Sequence, residues 1–251
     1  AHAVTILANE FSANNPNCNI LVSGGPSFSG WDKLVNGLAD IAMMSAEPNK
    51  DQKAEAKAKG IEVQGVVIGW GGLVLITHPS NPVDSLSMDQ VQRLLSGQTT
   101  NWKDVGGADK VVSIVSVSEG ARAGTVKFIT EGLVKGSMAP SARLLSYFRS
   151  VPPTVAETEG SLGIVRMRNL ERLIEQGQDK RIKVLGVKKD DKSPAVTPSR
   201  ESIDEGTYPI NRPFYLYMSS KAGKCAMDFF KFCEARNPRP QSGSSHKTAL
   251  K

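Results

Sequence analysis

Two glycine-bearing turns in the chain have the composition of anion-binding loops. One is Ser23-Gly-Gly-Pro-Ser-Phe-Ser-Gly-Trp31, between a strand-like and a helix-like stretch. The other, Gly120-Ala-Arg-Ala-Gly-Thr-Val-Lys-Phe128, follows the apolar residues 111–117 and leads into a helix expected over 128–134. Such turns aim backbone N–H groups and the positive end of a helix dipole at one point. Each turn alone also fits ordinary helix capping, whereas the pair predicts one anion site between two lobes.

The histidines and serines form no catalytic motif. The chain contains three histidines, His2, His78 and His246, and lacks the Gly-x-Ser-x-Gly, His-Glu-x-x-His and Walker patterns. The sequence therefore contains no motif for nucleophilic catalysis, zinc binding or nucleotide binding. His78 precedes a proline at the end of a strand-like stretch, which favours a turn residue over a general base. We expect a binding protein without cofactor or metal rather than an enzyme.

The three cysteines leave the redox compartment open. Cys225 and Cys233 lie eight positions apart in a helix-like segment, about 12 Å along its axis, so they cannot bridge each other. Cys18 has the option of pairing with either, but three buried thiols are the state we expect. No Cys-x-x-Cys or Cys/His spacing indicates a metal site.

Composition and charge narrow the classes of partner. The 251 residues carry a formal net charge of +6, which favours anionic partners through long-range steering. The basic residues are scattered and not interleaved with aromatics, so we expect no nucleic-acid partner. No apolar run approaches the roughly 20 residues that a bilayer crossing needs. Residues 1–11 are typical of an amphipathic helix rather than a signal peptide, so we expect any export signal to have been removed.

Strands and helices alternate along the first part of the chain. The pattern predicts a helix to Phe11, a strand near Ile20, a helix over 31–38, a strand near Ile41, a helix over 50–59 and a strand over 61–67. This order indicates a parallel sheet with helices on both faces. The apolar stretch 66–77 is too long for one ordinary strand, and we interpret it as a crossover between lobes.

A second alternating series follows the crossover. It predicts a helix over 88–96, a strand over 111–117, a helix over 125–134, a strand over 162–165, a helix over 170–176, a strand over 182–187 and a returning strand over 212–218. The polar residues 188–208 indicate a surface loop. The predicted division is therefore residues 1–70 as the first part of lobe one, 71–207 as lobe two, and 208–251 as the return to lobe one with a C-terminal helix and tail.

Several longer motifs occur in one order along most of the chain. They are Ser23-Gly-Gly-Pro-Ser-Phe-Ser-Gly30, Ala39-Asp-Ile-Ala-Met-Met-Ser45, His78-Pro-Ser-Asn-Pro-Val83, Leu95-Ser-Gly-Gln-Thr-Thr-Asn-Trp102, Ala123-Gly-Thr125, Gly160-Ser-Leu-Gly-Ile164 and Tyr208-Pro-Ile-Asn-Arg-Pro-Phe-Tyr-Leu-Tyr217. In this order they resemble the phosphate-binding, substrate-binding protein family of ABC transporters. The resemblance implies an α/β, two-lobed type II periplasmic binding protein fold, in which each lobe is a mostly parallel sheet flanked by helices.

The resemblance also implies which residues hold a ligand. In that family a dehydrated oxyanion is held in the cleft by backbone N–H groups, hydroxyls, an arginine and one acidic acceptor. The positions of this chain that match are Ser27, Phe28, Ser29, Ser45, Gly124 and Thr125. Together they imply a ligand bound from both lobes.

The second turn departs from the family pattern at two positions. Ala123 stands where a serine is usual, and Glu119 stands where an arginine is usual. Both changes weaken an anion site, because an unpaired carboxylate near a desolvated anion is costly. Arg122 is the residue we expect to supply the missing cation.

The first lobe departs as well. Ala46 and Glu47 follow Met-Met-Ser, where related sequences often carry an arginine. Glu47 has two interpretations, an acidic acceptor that reads a proton on the ligand or a solvated carboxylate at a helix start, and the second is favoured.

The two ends of the chain suggest a rearrangement. The family normally opens with a strand and a Gly-Ser-Ser/Thr loop, whereas residues 242–251 here resemble that loop and the following helical turn. A circular permutation would return Ser244 and Ser245 to the site, since chain termini commonly lie close together. A truncated start with a polar tail explains the same residues, and the sequence does not decide between them.

The resemblance therefore implies a periplasmic or cell-surface, exported solute-binding protein. Its expected ligand is phosphate or a related oxyanion, its expected partners are the membrane subunits of an ABC transporter, and we expect a monomer. The alternative is an extracytoplasmic sensory or interaction protein that keeps the fold with altered or lost ligand binding. Neither alternative assigns the chain a cofactor.

Overall fold

Residues 2–24, 27–118 and 123–236 are described by a computed structural model of the chain. Within these ranges the chain divides into two units. Unit 1 takes the residues up to Trp70 and those from Arg212 onward, and unit 2 is the continuous stretch from Gly71 to Asn211.

The helices and strands of the described ranges alternate along much of the chain. The α-helices are α1 His2–Asn14, α2 Ser27–Val35, α3 Lys50–Ala58, α4 Met88–Ser96, α5 Ala123–Lys127, α6 Val151–Ala156, α7 Met167–Glu175, α8 Arg200–Glu205 and α9 Lys224–Glu234. The strands are β1 Ile41–Met44, β2 Val63–Thr77, β3 Ser85–Ser87, β4 Ser113–Val117, β5 Arg143–Leu145, β6 Ser161–Arg166, β7 Lys183–Val184, β8 Gly186–Lys188 and β9 Asn211–Ser219. A π-helix, Phe128–Val134, continues α5.

Unit 1 is a sheet with helices on both faces. Its strand order is β1-β9-β2, and β1 pairs antiparallel with β9. Successive residues of a strand point to opposite faces. Accordingly Tyr217 packs with Trp31 of α2 and with α3 on one face. Its neighbour Leu216 packs with Phe11 of α1 and Phe229 of α9 on the other face.

Unit 2 is a mixed sheet. The second part of β2 pairs antiparallel with β6 and β7, while β4 pairs parallel with both β5 and β6. A separate parallel pair joins β3 to β8. The buried apolar residues Ile76, Val115 and Ile164 come from the three central strands. Unit 2 therefore has its own core, and β4 brings the chain to the second glycine-bearing turn.

The α/β class with helices flanking the sheet is confirmed, whereas the prediction of mostly parallel sheets needs correction. The ladder of β1 with β9 is antiparallel, and so are the ladders of β2 with β6 and with β7 in unit 2. The parallel arrangement holds around β4 and between β3 and β8. The alternation of strands and helices predicted parallel neighbours, but it does not encode the direction in which β2, which runs from unit 1 into unit 2, and β9 of unit 1 enter their sheets.

Three local predictions were wrong. The stretch 66–77 belongs to one strand of 15 residues, β2, although it does carry the chain from unit 1 into unit 2. The segment 19–24 forms no strand. The polar stretch 188–208 is not all loop, because Ser199 and Ser202 form a capping box that starts α8. A pattern of side chains predicts which face is buried, but it does not supply hydrogen-bonding partners.

The expectation of three buried thiols was also wrong. Cys18 and Cys225 form a disulfide, and Cys233 is the free thiol among the described cysteines. The two bonded residues lie 207 positions apart in sequence, and they meet because both ends of the chain build unit 1. Cys225 and Cys233 both lie on α9 without bridging each other, as the helical spacing predicted. Burial raises the pKa of the Cys233 thiol to about 12.

None of the helices in the described ranges combines the length and the apolar character that a bilayer crossing needs. The residues on which the permutation hypothesis depends, Ala1 and 237–251, lie outside the described residues.

Candidate functional site

The glycine-bearing turn 23–31, which is the candidate loop of unit 1, leads into helix α2. The helix begins at Ser27 rather than near Trp31, so Ser27, Phe28 and Ser29 form its first turn. Backbone N–H groups in a first turn have no intrahelical acceptor and are available to an anion. Gly30 lies directly against β1, since a Cβ there would be 3.6 Å from the carbonyl oxygen of Met43. The start of α2 is therefore packed close to the end of β1.

The end of β1 places a further candidate ligand-binding hydroxyl, that of Ser45, in unit 1. Ser45 follows the last residue of β1 and is half-buried, and Glu47 after it is exposed. Glu47 lies two residues before the N-cap of α3. Asn49 is the N-cap of α3 and forms a capping box with Gln52, while Glu47 accepts a hydrogen bond from Tyr215.

Tyr215 adjoins the candidate site through a contact with Glu47 that the sequence did not reveal. Its hydroxyl donates to Oε1 of Glu47 across 3.5 Å. Burial in the first place, and Glu47 in the second, raise the pKa of Tyr215 to about 12. The phenol therefore stays neutral and remains a hydrogen-bond donor at physiological pH. The pairing depends on the β1–β9 register, in which Met44 lies opposite Tyr215, and no local pattern predicts that register.

An aromatic group supports this end of unit 1. The rings of Tyr215 and Tyr217 stack with centroids 5.7 Å apart, and Tyr217 meets Trp31 edge to face at 5.8 Å. Burial, followed by Glu47, also raises the pKa of Tyr217. A Cβ at Gly65 of β2 would collide with the Tyr217 ring, so the glycine makes room for it. These contacts fix β9 against α2, whose first turn is the candidate loop.

Unit 2 places the other candidate loop at α5, shortly after β4. Gly124 and Thr125 lie in the first turn of α5, where Gly124 is half-buried and Thr125 is buried. The expected α-helix over 125–134 changes to a π-helix from Phe128. The hydroxyl of Thr130 donates to the carbonyl of Val126 at 3.1 Å.

Several predicted site residues cannot be placed. Arg122, Ser244 and Ser245 lie outside the described residues, as does the departing residue Glu119, and the structure does not describe the side chains of Ser27, Phe28 and Ala123. They stay predictions. Among the residues that the structure does describe, no group of three His, Cys, Asp or Glu side chains is arranged to hold a metal ion.

Other motifs of the sequence serve the scaffold of unit 2. The indole Nε1 of Trp102 donates to the carbonyl of Gly160 at 2.8 Å, so two separate motifs meet in one buried contact. Thr77 donates to the carbonyl of Ser161 and accepts from the amide of Asn81. His78 shares a short hydrogen bond with Ser80 at a turn, which agrees with its predicted turn position.

Comparison with known proteins identifies the family of the fold. The family model described as a PBP superfamily domain matches residues 1–235. The phosphate-binding protein PstS of Staphylococcus saprophyticus is 28% identical over 223 residues, which cover 86% of this chain and 67% of that protein. PstS of Bacillus subtilis is 25% identical over 93% of this chain and 72% of its own length. The chain thus spans about two thirds of the length of these curated relatives.

A solved structure shows the same fold. The ABC-type phosphate transport receptor from Vibrio cholerae superposes with a TM-score of 0.72 at 24% sequence identity. The superposition covers 92% of this chain and 88% of the receptor.

Proposed function

Because the chain belongs to the PBP superfamily domain family, we propose that it is a solute-binding protein that captures phosphate or a related oxyanion for an ABC importer. The observation that carries the proposal is the buried Thr125, in the first turn of a helix that closely follows strand β4. A buried hydroxyl beside the N–H groups of a helix start suits an oxyanion. The curated relatives named as phosphate-binding proteins support phosphate as the ligand.

The proposed binding chemistry uses neutral donors. Ser29 and Ser45 would contribute hydroxyls from unit 1, together with the N–H groups in the first turn of α2, and Gly124 and Thr125 would contribute from unit 2. Oriented N–H and O–H dipoles stabilise a dehydrated anion without the need for a full countercharge on every side. Arg122 is assigned as the cation that offsets the remaining charge. This set accounts for capture and release without any chemical step, so we assign no enzymatic activity.

The proposed location is outside the cytoplasm. The disulfide between Cys18 and Cys225 supports it, since such bonds persist in oxidising compartments and are rare in the cytosol. The expected partners, the membrane subunits of an ABC transporter, follow from the relatives. We propose that the protein acts as a monomer.

Isothermal titration calorimetry tests the proposed function. The protein is unfolded, dialysed free of carried-over anion, refolded with its disulfide oxidised, and titrated with inorganic phosphate and with sulfate. We expect heat of binding with phosphate, and we expect Arg122→Ala to abolish it. If no oxyanion gives a binding isotherm with the refolded protein, the proposal of a solute-binding protein fails. An extracytoplasmic sensory or interaction protein that keeps the fold then becomes the favoured function.

A further inference from the structure

The segment 19–24 has the side-chain pattern of a strand without the hydrogen bonds of one. Ile20 and Val22 are half-buried and pack against the core formed by α1 and α9, whereas Leu21 between them is 87% exposed. Within the part of the chain that the structure describes, residues 19–24 make no backbone hydrogen bond to another backbone group. Among the described residues, side-chain packing and the chain on either side are therefore what hold the segment.

The covalent support of this segment comes from α9. Cys18 immediately precedes it and is bonded to Cys225 in the first turn of α9. The helix itself is fixed by Phe229, which lies 5.5 Å from the ring of Phe11 of α1. On the opposite side of the segment the chain continues through residues 25–26 to Ser27, the start of α2.

We propose that the Cys18–Cys225 disulfide is a redox-sensitive clasp that holds segment 19–24 on α9 and so positions the start of α2 for anion binding. The second half of this inference rests on the proposed function. The clasp itself depends only on the bond and on the lack of a backbone ladder between the segment it secures and the other described residues.

The bond is accessible to a thiol reductant, while the remaining thiol is not. Cys18 and Cys225 are both partly exposed, whereas Cys233 is fully buried. The thiolate of a dithiol such as dithiothreitol attacks one sulfur of the disulfide and expels the other as a thiolate, which takes up a proton. The second thiol of the reductant then displaces the first cysteine. One disulfide and one dithiol thus yield two cysteine thiols and one oxidised, cyclic reductant.

Reduction also lowers overall stability, because it restores conformational freedom to a loop of 207 residues in the unfolded chain. A test must therefore separate local release from global weakening. Gly160→Ala, in unit 2, provides the matched control, since it is expected to destabilise the protein without touching the disulfide. Cys233→Ala controls for the loss of a cysteine elsewhere.

Limited proteolysis with subtilisin tests the clasp, because Ile20, Leu21 and Val22 offer apolar cleavage sites and this protease needs no catalytic metal ion that a dithiol would remove. At a temperature well below unfolding, we expect dithiothreitol, or the Cys18→Ser/Cys225→Ser variant, to speed cleavage within 19–24 by about tenfold. Cys233→Ala without reductant should be cleaved like the oxidised protein. Unchanged cleavage after reduction, or an equal acceleration in oxidised Gly160→Ala, overturns the clasp.

Calorimetry with inorganic phosphate on the same samples tests the positioning role. If release leaves the binding-competent arrangement in about one tenth of the molecules, the apparent Kd rises about tenfold. Faster cleavage with unchanged phosphate affinity overturns the positioning role. Absence of phosphate binding in the oxidised protein overturns the proposed function instead, and the cleavage assay still decides whether the clasp exists.

Discussion

The hydroxyl of Tyr215 on β9 donates to Oε1 of Glu47 in the segment that follows β1, across 3.5 Å. The contact joins the segment that follows β1, in which Ser45 also lies, to β9, the strand between β1 and β2. It also gives the exposed carboxylate of Glu47 a partner on β9.

Glu47→Gln should lower the pKa of Tyr215 from its value of about 12, because the change removes the negative charge that favours the neutral phenol. The part of the shift caused by burial should remain, so the pKa should stay above the ordinary value of about 10. Ultraviolet titration of tyrosinate absorbance measures the change, and Tyr215→Phe identifies which transition belongs to this residue. A Tyr215 transition that does not move in Glu47→Gln would contradict the assigned contact.

The raised pKa of Tyr215 predicts a loss of stability at high pH. Its folded-state pKa, about 12, lies above the unfolded value of about 10. Between these values the unfolded chain has released a proton that the native protein keeps, so the free energy of unfolding falls as pH rises. The contribution is fully present below pH about 10. Urea denaturation across this range should show a shallower decline for Tyr215→Phe than for the unmodified protein.

Thr125→Val should weaken phosphate binding by about tenfold or more, since a hydrogen bond to a charged group contributes about 1.5–3 kcal/mol. The two side chains have nearly the same shape, so the change removes the hydroxyl and little else. Thr154→Val is the matched control, because the Thr154 hydroxyl bonds the carbonyl of Ser150 within unit 2. Calorimetry that finds equal affinities for the two variants would remove Thr125 from the site.

Gly160→Ala should lower the free energy of unfolding by about 1–3 kcal/mol. The residue has φ of +74°, and an added Cβ would lie 2.6 Å from the carbonyl oxygen of Val111. Gly106→Ala shares the positive φ, +87°, but its Cβ would meet nothing within 4 Å. Urea denaturation of both variants isolates the cost of the collision, and equal losses would show that backbone strain alone matters.

Lys135→Gly should raise the free energy of unfolding by up to about 1 kcal/mol. Lys135 ends the π-helix with φ of 56° and ψ of 39°, a left-handed conformation that suits glycine. Lys135→Ala keeps the same strain and should give no gain. Chemical denaturation distinguishes the two, and a stabilised alanine variant would point to the lysine charge instead.

Elements with local signals could be predicted from the sequence. Helix α4 runs from Met88 to Ser96 as expected, since the capping box of Ser87 and Gln90 starts it and Gly97, in a left-handed conformation, ends it. The strand expected near Ile20 failed for the opposite reason. The alternation of apolar residues correctly indicates that the side chains of Ile20 and Val22 are half-buried. A strand also needs hydrogen-bonding partners on a neighbouring strand, and the sequence of the segment does not predict those.

The candidate site likewise contains residues that the sequence predicted and contacts that it did not predict. The positions of Ser29, Ser45 and Thr125 came from a motif order that resembles a known family, and the structure places them at a helix start, a strand end and a second helix start. The Tyr215–Glu47 contact and the Cys18–Cys225 bond join residues far apart in sequence. Such pairs depend on the register between strands and on the return of the chain to unit 1 after unit 2, and no local periodicity predicts either.

The order of the strands in unit 1 has a consequence for how the protein is made. β9 lies between β1 and β2, yet it is synthesised long after both of them. Unit 2, continuous from Gly71 to Asn211, leaves the ribosome complete before β9 does. The helices and strands that precede unit 2 therefore keep apolar faces uncovered until β9 has been synthesised, which makes them the part of the nascent chain that most needs a chaperone.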